Sequence, residues 1–373
     1  MREQIQEGTA QLFQDRAEIV SKELDVFYNP KMELNRTISI LVLKALDKKD
    51  IQIGLPLAGS GVRAVRFLME LPEDIIKNIE VNDLNPEAIK LFKENLELNK
   101  LDESKIITHN QDANEFLNQS KGFDYIDIDP FGSPNFLLDS SVARLSRGGI
   151  LAVTATDTAA LAGTYPNTCK FKYWSEPALC PQKHEMGIRI LIRKVQMMGM
   201  QSEKALIPIF SYHDEHYYRI FFRCEKGKTK SAKLFDNINT FFIYCPKCGF
   251  TESKQHKVKF CSQCKNERDL RISGPLYSGQ MQENEFIAKM IEQTTNEQEI
   301  KFLNQRLDDN KVPIVGSYDT HDICSKQNFT VEKIKLYLER LEEAGFQAAR
   351  SVFPITGIKT NANFEELKKT FKK

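Results

Sequence analysis

At Phe123–Pro134 the chain reads FDYIDIDPFGSP. The run ends in Asp129-Pro130-Phe131-Gly132, which brings a carboxylate, a proline carbonyl, an aromatic ring and a glycine to one point. That set suits methyl transfer to an exocyclic amine on a base. The lone pair of such a nitrogen is delocalised into the ring, so the amine is a poor nucleophile. Two acceptors that take hydrogen bonds from its N–H groups draw it toward tetrahedral geometry and turn the lone pair outward. The Asp129 carboxylate offers one acceptor and a sink for the released proton. The Pro130 carbonyl, on a chain stiffened by the pyrrolidine ring, offers the other. Phe131 gives a face for stacking a base, and Gly132 gives room for close approach. The same residues also fit an ordinary turn, because Asp-Pro and Gly-x-Pro are turn formers.

The elements that must position this stretch are legible from apolar runs and turn residues. Strands are expected at Ile51–Ala58, Asn78–Asp83, Lys105–Ala113, Phe123–Asp129 and Gly148–Thr156. Helices are expected at Val62–Leu71, at Asn85–Lys100 with its N-cap asparagine and following proline, and at His184–Gly199. Two further apolar runs, Lys204–Phe210 and His216–Cys224, flank SYHDE and read as an antiparallel edge hairpin. Alternating strands and helices make an α/β, doubly wound and mostly parallel sheet. Ligands bind such sheets beyond the carboxyl ends of the strands. Four successive strands end there in Gly59-Ser60-Gly61, Asp83, Asp112 and Asp129.

The turn LAGSGVRAVR lacks the third glycine of a dinucleotide fingerprint, and Gly59 and Gly61 alone suit a ligand without phosphates. Asp83 follows the second strand, where an acid can hold both ribose hydroxyls. Asp112 can accept from an adenine amino group, with the Ala113 amide beside it. A ribose acid, an adenine acceptor and no phosphate site together describe S-adenosylmethionine. The other reading of Asp83 and Asp112 is a pair of surface acids at strand ends.

Beyond about Glu225 the composition changes. EKGKTKSAK reads as a basic linker or loop, and Ile220–Gln280 carries twelve Lys and Arg against five Asp and Glu. A local basic field is what a phosphate backbone requires, although a solvated face has the same composition. Within this segment Cys245-x-x-Cys248 and Cys261-x-x-Cys264 form two thiolate knuckles. Two such knuckles supply the tetrahedral sulfur set of a structural zinc and leave no position open for catalysis. Cys169, Cys180, Cys224 and Cys324 stand alone and read as packing residues. Helical stretches are expected around Glu283–Glu292 and Val331–Gly345, and Ile314–Ala362 has the rhythm of a winged helix. The N-terminal MREQIQEGTAQLFQDR is charged and reads as helical, with no apolar signal core. No apolar run reaches membrane-spanning length. The expected setting is the cytoplasm, with reduced thiols.

The stretches VFYNPKMELNRTISI, SGVRAVRF, VNDLNPEAI, DIDPFGSP, TDTAALAG, HEMGIRIL, CPKCG, GPLYSGQ and GIKTNA follow one another over nearly the whole chain. In them the chain resembles the tRNA (guanine-26) N2-dimethyltransferase family, in its shorter archaeal form. The resemblance implies a class I Rossmann-like methyltransferase sheet, and a smaller α+β zinc-containing C-terminal domain. Residues 1–222 would be the methyltransferase domain and 223–373 the tRNA-binding one. It implies S-adenosylmethionine as methyl donor, tRNA as substrate, and N2-methyl- and N2,N2-dimethylguanosine as products. By motif match it implies donor contacts from Arg36, Arg63, Asp83, Asp112 and Ala113, and zinc held by Cys245, Cys248, Cys261 and Cys264. Arg36, which otherwise reads as a helix-surface residue, would meet the methionine carboxylate. Family members commonly carry Asp where this chain has Thr37. Phe27, which otherwise reads as a core-packing residue, and Phe131 are candidates to receive a flipped guanine, and Lys228, Lys230 and Lys233 to grip phosphates. Rival readings are amino methylation of adenine or of a glutamine side chain, and a zinc-containing RNA-binding protein without activity. No obligate protein partner is evident.

Overall fold

The computed structural model describes residues 2–15, 26 and 28–372. The chain divides into two compact units, Met1–Ala155 with Phe221–Lys226 and Glu292–Thr294, and Thr156–Ile220 with Gly227–Ile291 and Thr295–Lys373.

The first unit holds strands β1 (Arg2–Glu7) and β2 (Ala10–Asp15), helix α1 (Glu33–Ala45), β3 (Ile51–Leu55), α2 (Val62–Glu70), β4 (Ile76–Asn82) and α3 (Pro86–Leu98). It continues with β5 (Ile106–His109), α4 (Ala113–Gln119), β6 (Phe123–Ile128), α5 (Asn135–Arg144) and β7 (Leu145–Ala155). Strands β5, β4, β3, β6 and β7 are neighbours in that order and pair in parallel. Their centres, among them Ile53, Ile79, Val81, Tyr125, Ile126, Leu151 and Val153, are buried, as strands covered on both faces must be. The strand order reverses between β3 and β6, which makes the crevice outside their carboxyl ends the expected ligand position.

Two later strands extend this sheet. These are β8 (Lys204–Asp214) and β9 (Tyr217–Lys226), joined by Glu215-His216, and the order closes as β7-β9-β8. The expected edge hairpin is present, with Ser211–Asp214 inside its first strand rather than in the turn. The compositional boundary at 222/223 falls within β9.

The N-terminus departs from the helix expected there. Strands β1 and β2 pair antiparallel across Gly8-Thr9. Gly8 holds φ +55, which favours glycine. Helix α3 supplies what local propensity does not. Asn99 Oδ1 accepts from the Gln11 amide at 2.9 Å, and Asn95 Oδ1 from the Phe13 amide at 2.7 Å. Both asparagines also donate to β2 carbonyls, so a free strand edge is paired by side chains.

In the second unit α6 (Thr158–Leu161), α7 (Pro166–Tyr173) and α8 (Lys183–Gln201) precede the hairpin. The stretch read as linker or loop contains helix α9 (Lys228–Phe235). Strands β10 (Thr240–Tyr244), β11 (Thr251–Lys254) and β12 (Arg271–Leu276) form a three-stranded antiparallel sheet beside the cysteines. Helices α10 (Asn284–Glu292) and α11 (Glu297–Asp309) follow, α10 running across the division between the units at its last residue. Next come β13 (Tyr318–Asp319), α12 (Thr320–Gln327), α13 (Ile334–Glu343), β14 (Ala348–Arg350), β15 (Gly357–Thr360) and α14 (Phe364–Phe371). The small sheet has the order β13-β15-β14 and packs on Ile323, Tyr337, Leu341, Phe364 and Leu367. Among the described residues, no helix is long and apolar enough to cross a membrane.

Candidate active site

Asp129 is the first residue after β6, at the point where the strand order reverses. Its Oδ2 accepts from Arg63 Nη2, and its side chain is 19% exposed. Arg63 is the second residue of α2 and is buried. It also donates to Asn35 Oδ1 and Ser39 Oγ on α1, each at 2.9 Å, and lies 3.3 Å from Asp127 Oδ2. Asp127 in turn accepts from the Tyr125 hydroxyl at 2.6 Å. Alternation along β6 puts Asp127 and Asp129 on one face, so one guanidinium spans both. Each carboxylate takes one guanidinium nitrogen, so Arg63 ties the two acids to each other.

Pro130 is buried, and the Phe131 ring is 46% exposed at the rim. Gly132 holds φ +79, and a Cβ there would meet nothing within 4 Å. The positive φ favours glycine at 132, and the space beside it is open.

The strand-end acids fall in line. Asp83 follows β4, and its Oδ2 accepts from the Gly59 amide at 2.8 Å while Oδ1 accepts from the Asn85 amide at 2.9 Å. Each oxygen keeps a second lone pair. Gly59 and Gly61 hold φ +53 and +72, and Gly61 is the N-cap residue of α2. Asp112 is exposed and caps α4, with Oδ1 accepting from the Asn114 and Glu115 amides. Ala113 is the buried first residue of that helix. Asn82, which sequence reasoning passed over, is fully buried and ties three strand ends together. It donates to the carbonyls of Pro56 and Gln111 and accepts from the Gln111 amide.

Arg36 is not a surface residue. It is 5% exposed, and Glu7 of β1 takes its Nε at 2.6 Å and also its Nη2. Thr37 accepts from Arg66 Nη2 at 3.0 Å. The hydroxyl thus gives a guanidinium a partner. Asn35, Ser39, Asp127 and Glu7 were all missed. The signal available for the first three was polar residues inside otherwise apolar elements; for Glu7 there was none.

In the second unit the four thiols of Cys245, Cys248, Cys261 and Cys264 lie within 4.8 Å of one another. Cys245 Sγ is 3.7 Å from Cys264 Sγ, and Cys248 Sγ is 3.8 Å from Cys261 Sγ. A tetrahedron with zinc–sulfur bonds of about 2.3 Å has edges of about 3.8 Å, so the donor set fits zinc. Each knuckle is closed by a backbone bond, Gly249 N to Cys245 O at 2.9 Å and Lys265 N to Cys261 O at 3.0 Å. Cys169, Cys180, Cys224 and Cys324 are buried singly.

The sequence model described as N2,N2-dimethylguanosine tRNA methyltransferase matches residues 8–372. The chain belongs to that family. An Aquifex aeolicus tRNA (guanine(26)-N(2)/guanine(27)-N(2))-dimethyltransferase is 37% identical over 98% of this chain and 94% of its own length. A Methanosphaera stadtmanae tRNA (guanine(26)-N(2))-dimethyltransferase is 34% identical over 98% and 95%. The solved structure of Trm1 from Pyrococcus horikoshii with S-adenosyl-L-methionine superposes with a TM-score of 0.85. It is 31% identical, over 99% of this chain and all of that one.

In this N2,N2-dimethylguanosine methyltransferase family member, the structure brings Asp129, Pro130, Arg63, Asp83, Gly59 and Gly61 to neighbouring strand ends. Lys228, Lys230 and Lys233 lie exposed on α9, with Lys228 3.5 Å from Glu203. Phe27 lies outside the described residues. Exposed Tyr165, Phe171 and Trp174 flank Lys170 and Lys172 on and beside α7, an interleaving of rings and cations that the sequence reading did not single out.

Proposed function

We propose that this chain methylates the N2 amine of guanine 26 in tRNA twice, forming N2,N2-dimethylguanosine. S-adenosylmethionine supplies the methyl group when bound. Arg36 and Arg63 would hold its amino-acid end, Asp83 its ribose, Asp112 and Ala113 its adenine, with Gly59 and Gly61 letting the backbone come close. Asp129 Oδ1 forms no hydrogen bond among the described residues, and it is the atom we assign to the substrate N–H and then to its proton. The Pro130 carbonyl takes the other N–H in the first round. The exposed Phe131 ring stacks on the flipped guanine, with Phe27 a second candidate. The protein's contribution is positioning and electrostatics.

We assign the methyl transfer to residues 1–222 and tRNA gripping to 223–373, with Lys228, Lys230 and Lys233 on phosphates and the zinc knuckles as scaffold. The setting is the cytoplasm, where such tRNA chemistry takes place. The observation that carries the reading is the Arg63 fork. It joins a residue assigned to the donor with the residue assigned to the amine.

The test is mass spectrometry of nucleosides from unmodified tRNA incubated with the protein and donor, beside a tRNA with adenine at position 26. N2,N2-dimethylguanosine is expected from the first and none from the second. Methylated adenine, or no methylated nucleoside at all, would refute the assignment.

A further inference from the structure

Glu7 is 2% exposed at the end of β1. Its carboxylate accepts from four groups. Oε1 takes Arg36 Nε at 2.6 Å and Arg66 Nη1 at 3.0 Å, while Oε2 takes Arg36 Nη2 and the Tyr28 hydroxyl at 2.8 Å. Burial alone would raise its pKa, but the hydrogen bonds and charge of Arg36, with Tyr28 and Arg66, outweigh burial and lower it. Glu7 therefore stays ionised through the neutral range.

The two arginines are used differently. Arg66 commits its Nε and Nη2 to Glu70, at 2.7 and 3.0 Å, and its Nη1 to Glu7. Arg36 commits Nε and Nη2 to Glu7, and Nη2 also donates to the Asn29 carbonyl at 3.1 Å. Its guanidinium carbon lies 5.4 Å from the centre of the Tyr28 ring. Arg36 Nη1 makes no hydrogen bond among the described residues. A buried guanidinium with one edge locked and one nitrogen unspent presents a donor in a fixed direction. Its charge is already balanced by Glu7, so what it offers a small anion is mostly orientation.

We propose that Glu7 is a positioning residue for the methyl donor, locking one edge of Arg36 so that Nη1 is aimed at the donor's amino-acid carboxylate. This rests on the assignment of Arg36 to the donor made above. It makes the N-terminal hairpin part of the donor site through a residue that itself touches no ligand.

Calorimetric titration of the full chain with S-adenosylhomocysteine and with 5′-methylthioadenosine tests this. Both carry adenosine and an uncharged sulfur, and only the first has the carboxylate. In Glu7→Gln the affinity for S-adenosylhomocysteine should fall about tenfold, and in Glu7→Asp by less, as expected for losing an oriented charge-assisted bond. Binding of methylthioadenosine should stay within about twofold, which also certifies the fold. If Glu7→Gln binds neither ligand, the ratio in Glu7→Asp decides. A ratio unchanged from wild type, whether both affinities fall or neither does, overturns the proposal. Arg36→Gln separates the two claims. If it too leaves the ratio unchanged, the Arg36 assignment fails; if it alone changes the ratio, only the role of Glu7 fails.

Discussion

Asp129 has to be held and yet remain available, and the side chains around it divide those tasks. Arg63 takes Oδ2, while Asp127, Asn35 and Ser39 keep Arg63 in place. Sequence reading assigned Asp129 from its strand end, and Arg63 only through the family resemblance. Their pairing could not be read, since it depends on α1 packing beside α2. Arg36 illustrates the same limit, for its burial follows from Glu7, twenty-nine positions earlier. Gly61 is a residue whose requirement was legible in kind but not in size. A Cβ there would lie 2.2 Å from a ring carbon of the buried Phe92, at φ +72. A left-handed L-residue costs roughly 1–2 kcal/mol and overpacking about 1–3 kcal/mol more. Gly61→Ala should therefore lose about 2–5 kcal/mol in denaturant unfolding and bind the donor more weakly. Unchanged stability would show that the turn relaxes freely.

Among the elements, the parallel strands and helices α2 and α3 were legible within a few residues, because period and turn chemistry are local, whereas α4 and α5 were not read. α9 was not. Its Gly227 and clustered lysines resemble a linker, yet Lys, Ala and Leu are good helix formers and only Ser231 in it is buried. Family stretches of the second unit also bond to one another and to their surroundings. Glu185 and Arg189 of HEMGIRIL pair at 2.8 Å, and Arg189 donates to the carbonyls of Tyr277 and Gly279 in GPLYSGQ. Lys359 of GIKTNA pairs with Asp309 at 2.6 Å. The exposed lysines of α9 are different, since the exposed Lys228–Glu203 pair contributes little to stability. Replacing Lys228, Lys230 and Lys233 together by Gln should leave the fold intact and weaken tRNA binding. It should also lower the slope of log affinity against log salt by about 0.7–0.9 per lysine in contact. Equal affinity and slope at low and high salt would remove this helix from the interface.

For the molecule as a whole, the parallel sheet, the edge hairpin and the sulfur cluster followed from pattern, since each repeats a motif with its own spacing, whereas the strand order comes from the structure. The N-terminal hairpin did not, because its partners Asn95 and Asn99 lie about eighty residues away and no local signal marks them. That hairpin carries Glu7, so the part of the fold least legible in the sequence is the part that anchors Arg36. The proposed chemistry turns on Asp129 as the group that would take the amine's hydrogen bond and then its proton. The direct measurement is single-turnover methyl transfer to unmodified tRNA by Asp129→Asn, at saturating donor and tRNA. Asparagine keeps the shape, and Arg63 keeps Asp127 as a charged partner. A rate about 10²–10⁴-fold below wild type with donor binding retained is predicted; a near-native rate with donor binding intact would contradict the account.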